Sequence, residues 1–330
     1  MEPKFFVGID VSKITMDIAI IESGNLIGTF KIPNTEIGLL DFIKFLKDNY
    51  KCRGKNTLLC AESMGLFTNY LKIASEKHGM VICLESALRI KRSMGLQRGK
   101  NDSVDSVRIA EYAMKNYRSM KIWVSPRNCM LQLKSLSTIR KRLMKVLIML
   151  KSQDKMHAYY IPKKEIEGIS SLYNKSIEAV QADIENVNME MDFIIDSDER
   201  LSQLMKLQMS IPGIGRIIAR QMIIATNEFI DFDTSRQFAA HCGVAPFEIS
   251  SGGVSLGRTK VSHLANKELK ALLHLGSMHF TRSTKYFLGR YYQRKVSEGK
   301  NKMSVLNAIR NKLLHRIFSC VKNNKLYTDN

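Results

Sequence analysis

The chain has 330 residues, of which 45% are hydrophobic, and this is enough to bury about two or three ordinary cores. Its 51 Lys and Arg residues outnumber 31 Asp and Glu residues, which gives a formal net charge of +20 and a pI near 9.7. This composition argues against general disorder. The positive charge predicts a polyanionic partner, with nucleic acid favoured over an anionic membrane surface.

The composition also argues against a membrane protein or a disulfide framework. No window approaches the roughly 18 apolar residues of a spanning helix, and MEPKFFVGID lacks the regions of a signal peptide. Six cysteines are scattered without a C-x-x-C pair, so neither a disulfide scaffold nor a zinc site has the required spacing. We expect no membrane partner, a cytoplasmic location and reduced thiols that lie mostly in the core.

The first 116 residues show strand and helix patterns of an α/β domain. The runs FFVGIDVS, MDIAIIES and GTFKIP predict three consecutive antiparallel strands. There follow a helix from Thr35 to Asn49, the strand TLLCAE ending at Glu62, a helix to about His78, the strand MVICLE, and a helix from Val104 to Lys115. Such a mixed sheet collects side chains from separate strand ends in one crevice.

Four acidic residues occupy comparable places in this pattern. Asp10 ends the first predicted strand, Glu62 ends the fourth, and Asp102 and Asp105 lie one turn apart on one helix face. Carboxylates that converge near a phosphate can hold Mg²⁺ (or Mn²⁺), which activates the attacking oxygen and stabilises the leaving one. Taken singly, each acid is more often a turn, cap or helix-dipole residue, so the metal hypothesis depends on their joint placement.

Residues 126–200 predict a helical hairpin with a basic first helix and an acidic second helix. Apolar residues repeat at three- and four-residue spacing before and after a break at Pro162 and Gly168. The repeats are Leu136, Ile139, Leu143, Val146 and Leu150, then Ile177, Val180, Ile184, Val187, Met191 and Ile194. The helices pair within one chain or between copies, and a structural spacer is favoured over a nucleic-acid-binding face.

Residues 201–330 begin with a predicted helix-hairpin-helix. LSQLMKLQM, IPGIG and RIIARQMIIAT follow one another as helix, tight turn and helix. Backbone N–H groups around Gly213 and Gly215, together with Arg216, can hold a phosphate without reading base sequence. An ordinary structural turn between two helices is the alternative interpretation.

A glycine-rich loop follows in FEISSGGVSLGRTK. It contains Ser250 and Ser251, with Arg258 and Lys260 further on, and a helix is predicted to begin near Asn266. By residue type alone, SSGG is most often a flexible linker.

Three N-terminal motifs together resemble a known family. GIDVSK, AESMG and KNDSVDSVRIA are similar to the N-terminal domain of DEDD transposases of the insertion sequence 110 family, which has a RuvC-like fold of the ribonuclease-H superfamily. The resemblance implies a RuvC-like domain over 1–125, a coiled-coil hairpin over 126–200, and a mostly helical transposase domain over 201–330. Met64 and Phe67 depart from the commoner Thr and Tyr of the family.

The resemblance assigns roles to individual residues. It implies that Asp10, Glu62, Asp102 and Asp105 are catalytic metal ligands, and that Arg98 and Lys100 contact nucleic-acid phosphates. The order Gly-x-x-Pro, four residues, Ser-Gly, basic residues and a helix is similar to the family's C-terminal domain. It implies that Ser251 is the nucleophile, with Ser250 its immediate competitor, and that Arg258 and Lys260 contact nucleic acid.

The family resemblance further implies an activity and its partners. The enzyme would cut and rejoin donor and target DNA through a covalent phosphoserine, guided by a structured non-coding bridge RNA, and would associate with the nucleoid when bound to DNA. No ATP is required, in agreement with the absence of a G-x-x-x-x-G-K-[ST] loop. It would assemble as a homodimer and then a homotetramer. His241 and His263 are candidate bases, although a lone histidine is more often structural.

Two other classes of function stay open at this point. The first is a RuvC-like, metal-dependent, structure-selective nuclease in which water attacks the phosphate. The second is a non-enzymatic nucleic-acid-binding protein with capped helices and a basic surface.

Overall fold

The computed structural model describes residues 2–93, 102–160, 173–248, 250–252, 254–255, 257, 259–262 and 264–329, without the side chains of 102–103, 153–159, 251, 254–255 and 260. The chain forms two compact units, Met1–Ser125 and Pro126–Asn330. Within the described ranges, none of the helices combines the length and apolar composition needed to cross a membrane.

Five strands form one mixed sheet in the first unit. They are β1 (Phe5–Val11), β2 (Thr15–Glu22), β3 (Asn25–Pro33), β4 (Thr57–Glu62) and β5 (Val81–Glu85). Their order across the sheet is β3-β2-β1-β4-β5. The β1–β2 and β2–β3 pairs are antiparallel, whereas the β1–β4 and β4–β5 pairs are parallel. The structure therefore confirms the α/β prediction and the three consecutive antiparallel strands.

Helices cover both faces of this sheet because alternate strand residues point to opposite sides. The helices are α1 (Glu36–Asn49), α2 (Asn69–Lys77), α3 (Ala87–Ser93) and α4 (Asp102–Asn116). Phe5, Val7 and Ile9 of β1 pack in a core with α1 and α2, whereas Phe6 packs in a second core with α3 and α4. The sequence did not predict α3, because its seven residues include a single buried residue, Ile90, and show no helical period.

Gly8 allows α4 to lie directly on β1. A Cβ atom built at position 8 would lie 2.2 Å from both the backbone N of Ala110 and the backbone O of Ser106. Neither backbone atom can rotate away as a side chain would, so the contact requires glycine.

The second unit is mostly helical, as predicted. Its helices are α5 (Asn128–Tyr160), α6 (Asn174–Asp196), α7 (Glu199–Met209), α8 (Arg216–Thr226), α9 (Ser235–His241), α10 (Lys267–Arg282), α11 (Phe287–Ser297) and α12 (Lys302–Asn323). Four two-residue strands lie between α9 and α10, namely β6 (Pro246–Phe247), β7 (Ser250–Ser251), β8 (Val254–Ser255) and β9 (Lys260–Val261). One buried core joins the early part of α5 and the late part of α6 to the following helices.

The helices α5 and α6 pack against each other within one chain. On α6 the predicted positions Ile177, Ile184 and Met191 are buried. On α5 the predicted positions Ile139 and Val146 are 45% and 40% exposed. Pairing within one chain is one of the two arrangements that the sequence left open, and Ile139 and Val146 stay largely exposed in it.

We expect Gly8→Ala to destabilise the first unit by about 3 kcal/mol, because overpacking against backbone forces α4 away from the sheet. Chemical unfolding followed by circular dichroism measures this change. Gly215→Ala is the matched control, because a Cβ at position 215 meets nothing within 4 Å. It should cost less than about 1 kcal/mol, the usual scale of a helix-cap change. Equal destabilisation by the two substitutions would contradict the close packing of β1 and α4.

Candidate active site

One transverse row of the sheet carries a charged residue in every strand. Asp10 of β1 is paired with Asp17 of β2, and Asp17 with Lys31 of β3. At the other side Glu62 of β4 is paired with Glu85 of β5. We call Lys31, Asp17, Asp10, Glu62 and Glu85 the charged row, in the order from β3 to β5.

The centre of the charged row joins the two predicted strand-end acids. The parallel β1–β4 ladder pairs Ile9 with Ala61, and Asp10 and Glu62 are the next residue on each strand. Neighbouring strands lie about 4.8 Å apart, so this register places the two carboxylate-bearing residues side by side. Both residues are half-buried at the ends of their strands.

The charged row lies on the sheet face that α4 covers. Gly8, two residues before Asp10 and on the same face, approaches α4 at Ser106 and Ala110. Asp105 immediately precedes the buried Ser106 in α4. The first turns of α4 therefore lie near the strand end that carries Asp10.

Of the two predicted acids on α4, the structure describes the side chain of Asp105 but not that of Asp102. The carboxylate of Asp105 accepts a hydrogen bond from Nη1 of Arg108 at 2.7 Å, with both side chains partly exposed. Asp102 is the first residue of α4, but its side chain lies outside the described part of the chain. The predicted phosphate contacts Arg98 and Lys100 also lie outside the described residues.

The structure adds two acids that the sequence analysis did not select. Glu85 is 6% exposed and accepts hydrogen bonds from Nη1 of Arg89, the nearer at 3.1 Å. Asp17 lies 3.6 Å from Nζ of Lys31. The signal for Glu85 was available, because it ends the run MVICLE as Glu62 ends TLLCAE. Asp17 could be recognised only from the antiparallel register of β1 and β2, which pairs it with Asp10.

The donor chemistry at the centre of the row fits a hard divalent cation. Mg²⁺ binds to one or two carboxylates while keeping several waters. Asp10 and Glu62 supply such oxygens on adjacent strands, and Glu62 has no ion pair among the described side chains. Among those same side chains, no three His, Cys, Asp or Glu residues converge closely enough to hold an ion. The predicted set of four ligands includes Asp102, whose side chain is not among the described ones.

The helix-hairpin-helix turn is packed against α10. Gly213 has φ +83° and approaches Gly276, so that a Cβ at position 213 would lie 2.6 Å from the backbone O of Gly276. Gly215 is the N-cap of α8, with open space beside its Cα. The glycine at position 213 thus has a packing role, whereas the space beside Gly215 leaves room for a ligand. Phosphate binding at this turn stays a prediction.

Arg216 is paired within the second unit. Its Nε lies 2.9 Å from Oδ2 of Asp192, and its Nη2 lies 2.6 Å from Oδ2 of Asp196. The two carboxylates raise the pKa of Arg216. A nucleic-acid phosphate would compete with two carboxylates for this guanidinium, so the predicted contact stays a prediction.

The serine-bearing segment forms a short β-hairpin. In the ladder β7–β8, Ser250 pairs with Ser255 and Ser251 pairs with Val254. Gly252, which follows β7, has φ +57°, a conformation that glycine adopts readily in tight turns. At the base of the segment, β6 pairs with β9. We call residues 246–261 the serine hairpin.

Several residues predicted to act near the serine hairpin lie outside the described residues, and others lie within them. Arg258 and His263 lie outside the described residues, as does the side chain of Lys260. The ring of His241 lies 5.3 Å from that of Phe232, and desolvation lowers the pKa of His241. The helix predicted near Asn266 is confirmed, since α10 begins directly after this N-cap.

Two segments of the chain match protein families. Residues 7–159 match a DEDD family of the insertion sequence 110 type, described as "Transposase", and residues 205–293 match the "Transposase IS116/IS110/IS902 family". Proteins named pilin gene-inverting protein from Moraxella bovis and Moraxella lacunata are each 21% identical over 326 residues, covering 98% of this chain and 97% of the relative.

Two solved structures of Thermus thermophilus RuvC match part of this chain. The complex of this protein with a Holliday junction substrate has 8% identity, a TM-score of 0.30, and coverage of 36% of this chain and 99% of that chain. A second Thermus thermophilus RuvC structure has the same identity and coverage and a TM-score of 0.29.

The family matches include all four acids in the first segment and Ser251 in the second, and together they span more than two thirds of the chain. Since both segments match transposases of the same kind in the same chain, the protein belongs to the IS116/IS110/IS902 family of transposases and is a DNA-recombining enzyme.

Proposed function

We propose that this transposase cuts and rejoins donor and target DNA through a covalent phosphoserine on Ser251. The observation that carries the proposal is the register of the charged row, which sets Asp10 beside Glu62 on the face covered by α4. The placement of Ser251 in a short hairpin, next to Gly252, supports its role as the nucleophile.

The proposed reaction has two steps that conserve the number of phosphodiester bonds. In the first, the Oγ of Ser251 forms a bond to phosphorus while the bond from phosphorus to the leaving sugar oxygen breaks. The serine proton passes to a base, and the leaving oxygen takes up a proton to become a hydroxyl. In the second, a hydroxyl of the exchanged strand attacks the phosphoserine and releases the serine. Because the bond energy is retained, no ATP is consumed.

The four acids provide a proposed site for Mg²⁺ or Mn²⁺. The ligands would be Asp10, Glu62, Asp102 and Asp105, which offer hard oxygen donors. When bound, the cation would supply Lewis-acid stabilisation of charge on the phosphate. Arg108 holds the carboxylate of Asp105 at 2.7 Å and thereby limits its rotation. Arg89 and Lys31 balance Glu85 and Asp17 at the two sides of the charged row.

We propose a base from this chain for the serine proton. The lowered pKa of His241 keeps its ring neutral near pH 7, the state in which an imidazole accepts a proton. His263 is the second candidate, as it follows the serine hairpin closely in sequence. Titration of the reaction rate with each histidine replaced by glutamine distinguishes the two.

A structured bridge RNA is proposed to select the donor and target sequences. Base pairing would then read sequence, and the protein would need mainly contacts to phosphates. The net charge of +20 agrees with binding that relies mainly on contacts to phosphates. The name pilin gene-inverting protein describes relatives that invert a DNA segment, an operation that also requires cutting and rejoining of strands.

The proposed assembly is a homodimer that forms a homotetramer on DNA. The serine of one subunit would complete the acid site of another subunit. The acidic helix α6 and basic helix α5 already pack within one chain. The exposed Ile139 and Val146 on α5 leave an apolar stripe for contact between copies.

Reconstitution with purified components tests the proposed function. We expect recombinant junctions when protein, Mg²⁺, donor DNA, target DNA and the RNA from the non-coding end of the element are combined. Replacing the target-pairing loop of the RNA should redirect insertion to the matching sequence. Sequencing of the junctions measures this. Equal recombination without RNA, or with a scrambled RNA, would contradict guidance by RNA.

A further inference from the structure

A cleft of about 670 Å³ lies beside the base of the serine hairpin. Pro246 and Val261, which pair with each other in the β6–β9 ladder, line it. Lys270 of α10 and Asn307 and Arg310 of α12 line it as well. The cleft therefore brings cationic side chains together with the base of the segment that carries Ser251.

Arg310 is a buried cation at this cleft. It is 5% exposed, and no carboxylate of the described residues forms an ion pair with it. Its Nε has no hydrogen-bond partner among the described residues. Lys270, which is half-buried, likewise has no ion pair among the described side chains. Burial of a charge without a counter-ion is costly, so an anion in the cleft would offset this cost.

Neighbouring side chains hold the guanidinium in a fixed orientation. Nη2 of Arg310 donates to Nδ1 of His274 at 2.8 Å, and Nη1 makes a longer contact of 3.5 Å with Oδ1 of Asn307. Because a guanidinium only donates hydrogen bonds, Nδ1 of His274 accepts, and the imidazole is neutral. Asn307 is itself anchored by donation from Nδ2 to the backbone O of Val244 at 2.9 Å. Both partners of Arg310 are uncharged, so its positive charge is available to a ligand.

We propose that this cleft binds a backbone phosphate of the DNA strand that the serine hairpin attacks, with Arg310 and Lys270 as its cationic ligands. The inference rests on the proposed function, because the choice of DNA follows from the role of Ser251. From Pro246 to Ser251 the chain spans at most about 17 Å. At 3.4 Å per nucleotide of duplex, this reach corresponds to about five nucleotides, to which the width of the cleft adds. The cleft thus fixes the register of the strand relative to the nucleophile.

Equilibrium binding of the full-length protein to a fluorescent 20-bp DNA duplex tests this proposal. Measurements in EDTA between about 50 and 200 mM salt separate phosphate contacts from cleavage. We expect Lys270→Gln and Arg310→Gln each to weaken binding about five- to tenfold and to reduce the slope of log K against log salt by about 0.9, the value for one lost phosphate contact. Lys267→Gln is the matched control, because Lys267 is exposed on α10 outside the cleft lining and should leave the slope unchanged.

Several outcomes would overturn the phosphate site. Equal losses for Lys270→Gln and Lys267→Gln would indicate a diffuse basic surface. A wild-type slope for Lys270→Gln, with a lower melting temperature for Arg310→Gln, would make Arg310 a purely structural residue. A loss confined to an RNA duplex of the same length would assign the cleft to RNA. Because binding is measured in EDTA, without cleavage, failure of the serine mechanism, which adduct formation reports, is distinguishable from failure of the cleft.

Discussion

Replacement of Ser251 by alanine is expected to abolish strand exchange and the covalent protein–DNA adduct. The loss should be at least about 10³-fold, because the substitution removes the attacking oxygen. The adduct is measured by denaturing gel electrophoresis of the purified protein after incubation with RNA, both DNAs and Mg²⁺. Mass spectrometry of the digested adduct then identifies the modified residue.

Ser250→Ala is the matched control for the nucleophile. Ser250 precedes Ser251 in β7 and is exposed, so the substitution removes a neighbouring hydroxyl from the same short strand. We expect adduct formation within about threefold of wild type, a margin of less than about 1 kcal/mol. Adduct loss in Ser250→Ala alone would reverse the assignment of the two serines. If Ser251→Ala nicked DNA at the wild-type rate, attack by water in a RuvC-like nuclease would replace the serine mechanism.

Asp10→Asn is expected to reduce cleavage by about three powers of ten. A Lewis acid at a phosphate lowers the activation free energy by several kcal/mol, and about 1.4 kcal/mol corresponds to a factor of ten in rate. The amide retains the shape of the carboxylate but removes its charge from the centre of the charged row. Single-turnover cleavage measured against Mg²⁺ concentration should show a higher half-saturating concentration in addition to the lower rate.

Asp41→Asn is the control for the loss of one negative charge. Asp41 is exposed on α1, and α1 packs on the opposite side of the sheet from α4. The Mg²⁺ dependence of Asp41→Asn should match that of wild type. If Asp10→Asn and Asp102→Asn both left recombination and Mg²⁺ affinity unchanged, the acids would be capping residues and the protein would bind nucleic acid without catalysing this chemistry.

The strands of the first unit were predictable because their apolar runs are bounded by turn residues. TLLCAE and the structural strand Thr57–Glu62 have the same bounds, and Thr35 caps α1 by accepting a hydrogen bond from the backbone N of Gly38. The short α3 was missed because its single buried residue, Ile90, leaves no periodic pattern. Local patterns therefore identified the elements with a continuous apolar face and missed the one without it.

The sequence could place Asp10 and Glu62 at strand ends but could not establish that their strands are neighbours. That information lies in the pairing of Ile9 with Ala61, which depends on the whole sheet. The same limitation hid Asp17, whose position opposite Asp10 follows from the antiparallel register. The close approach of α4 at Gly8 likewise had no local signal beyond the glycine itself.

In the second unit, tertiary contacts changed the interpretation of basic residues. Arg216 is predicted from sequence as a phosphate ligand, but two carboxylates of α6 bind it. Arg310 has no motif in the sequence, yet folding buries it beside the serine hairpin between neutral partners. Whether an arginine is available to nucleic acid depends on which acids the fold brings to it, and residue type alone does not specify them.

The most direct test of the acid site is the location of bound Mn²⁺ by anomalous X-ray scattering from the full-length protein in complex with its RNA and DNA. We predict an anomalous peak about 2.0–2.2 Å from carboxylate oxygens of both Asp10 and Glu62, with α4 acids completing the site. The same crystals of Asp10→Asn protein should lose the peak. A fully occupied Mn²⁺ elsewhere, with no peak between β1 and β4, would contradict the assignment of the charged row as the metal site.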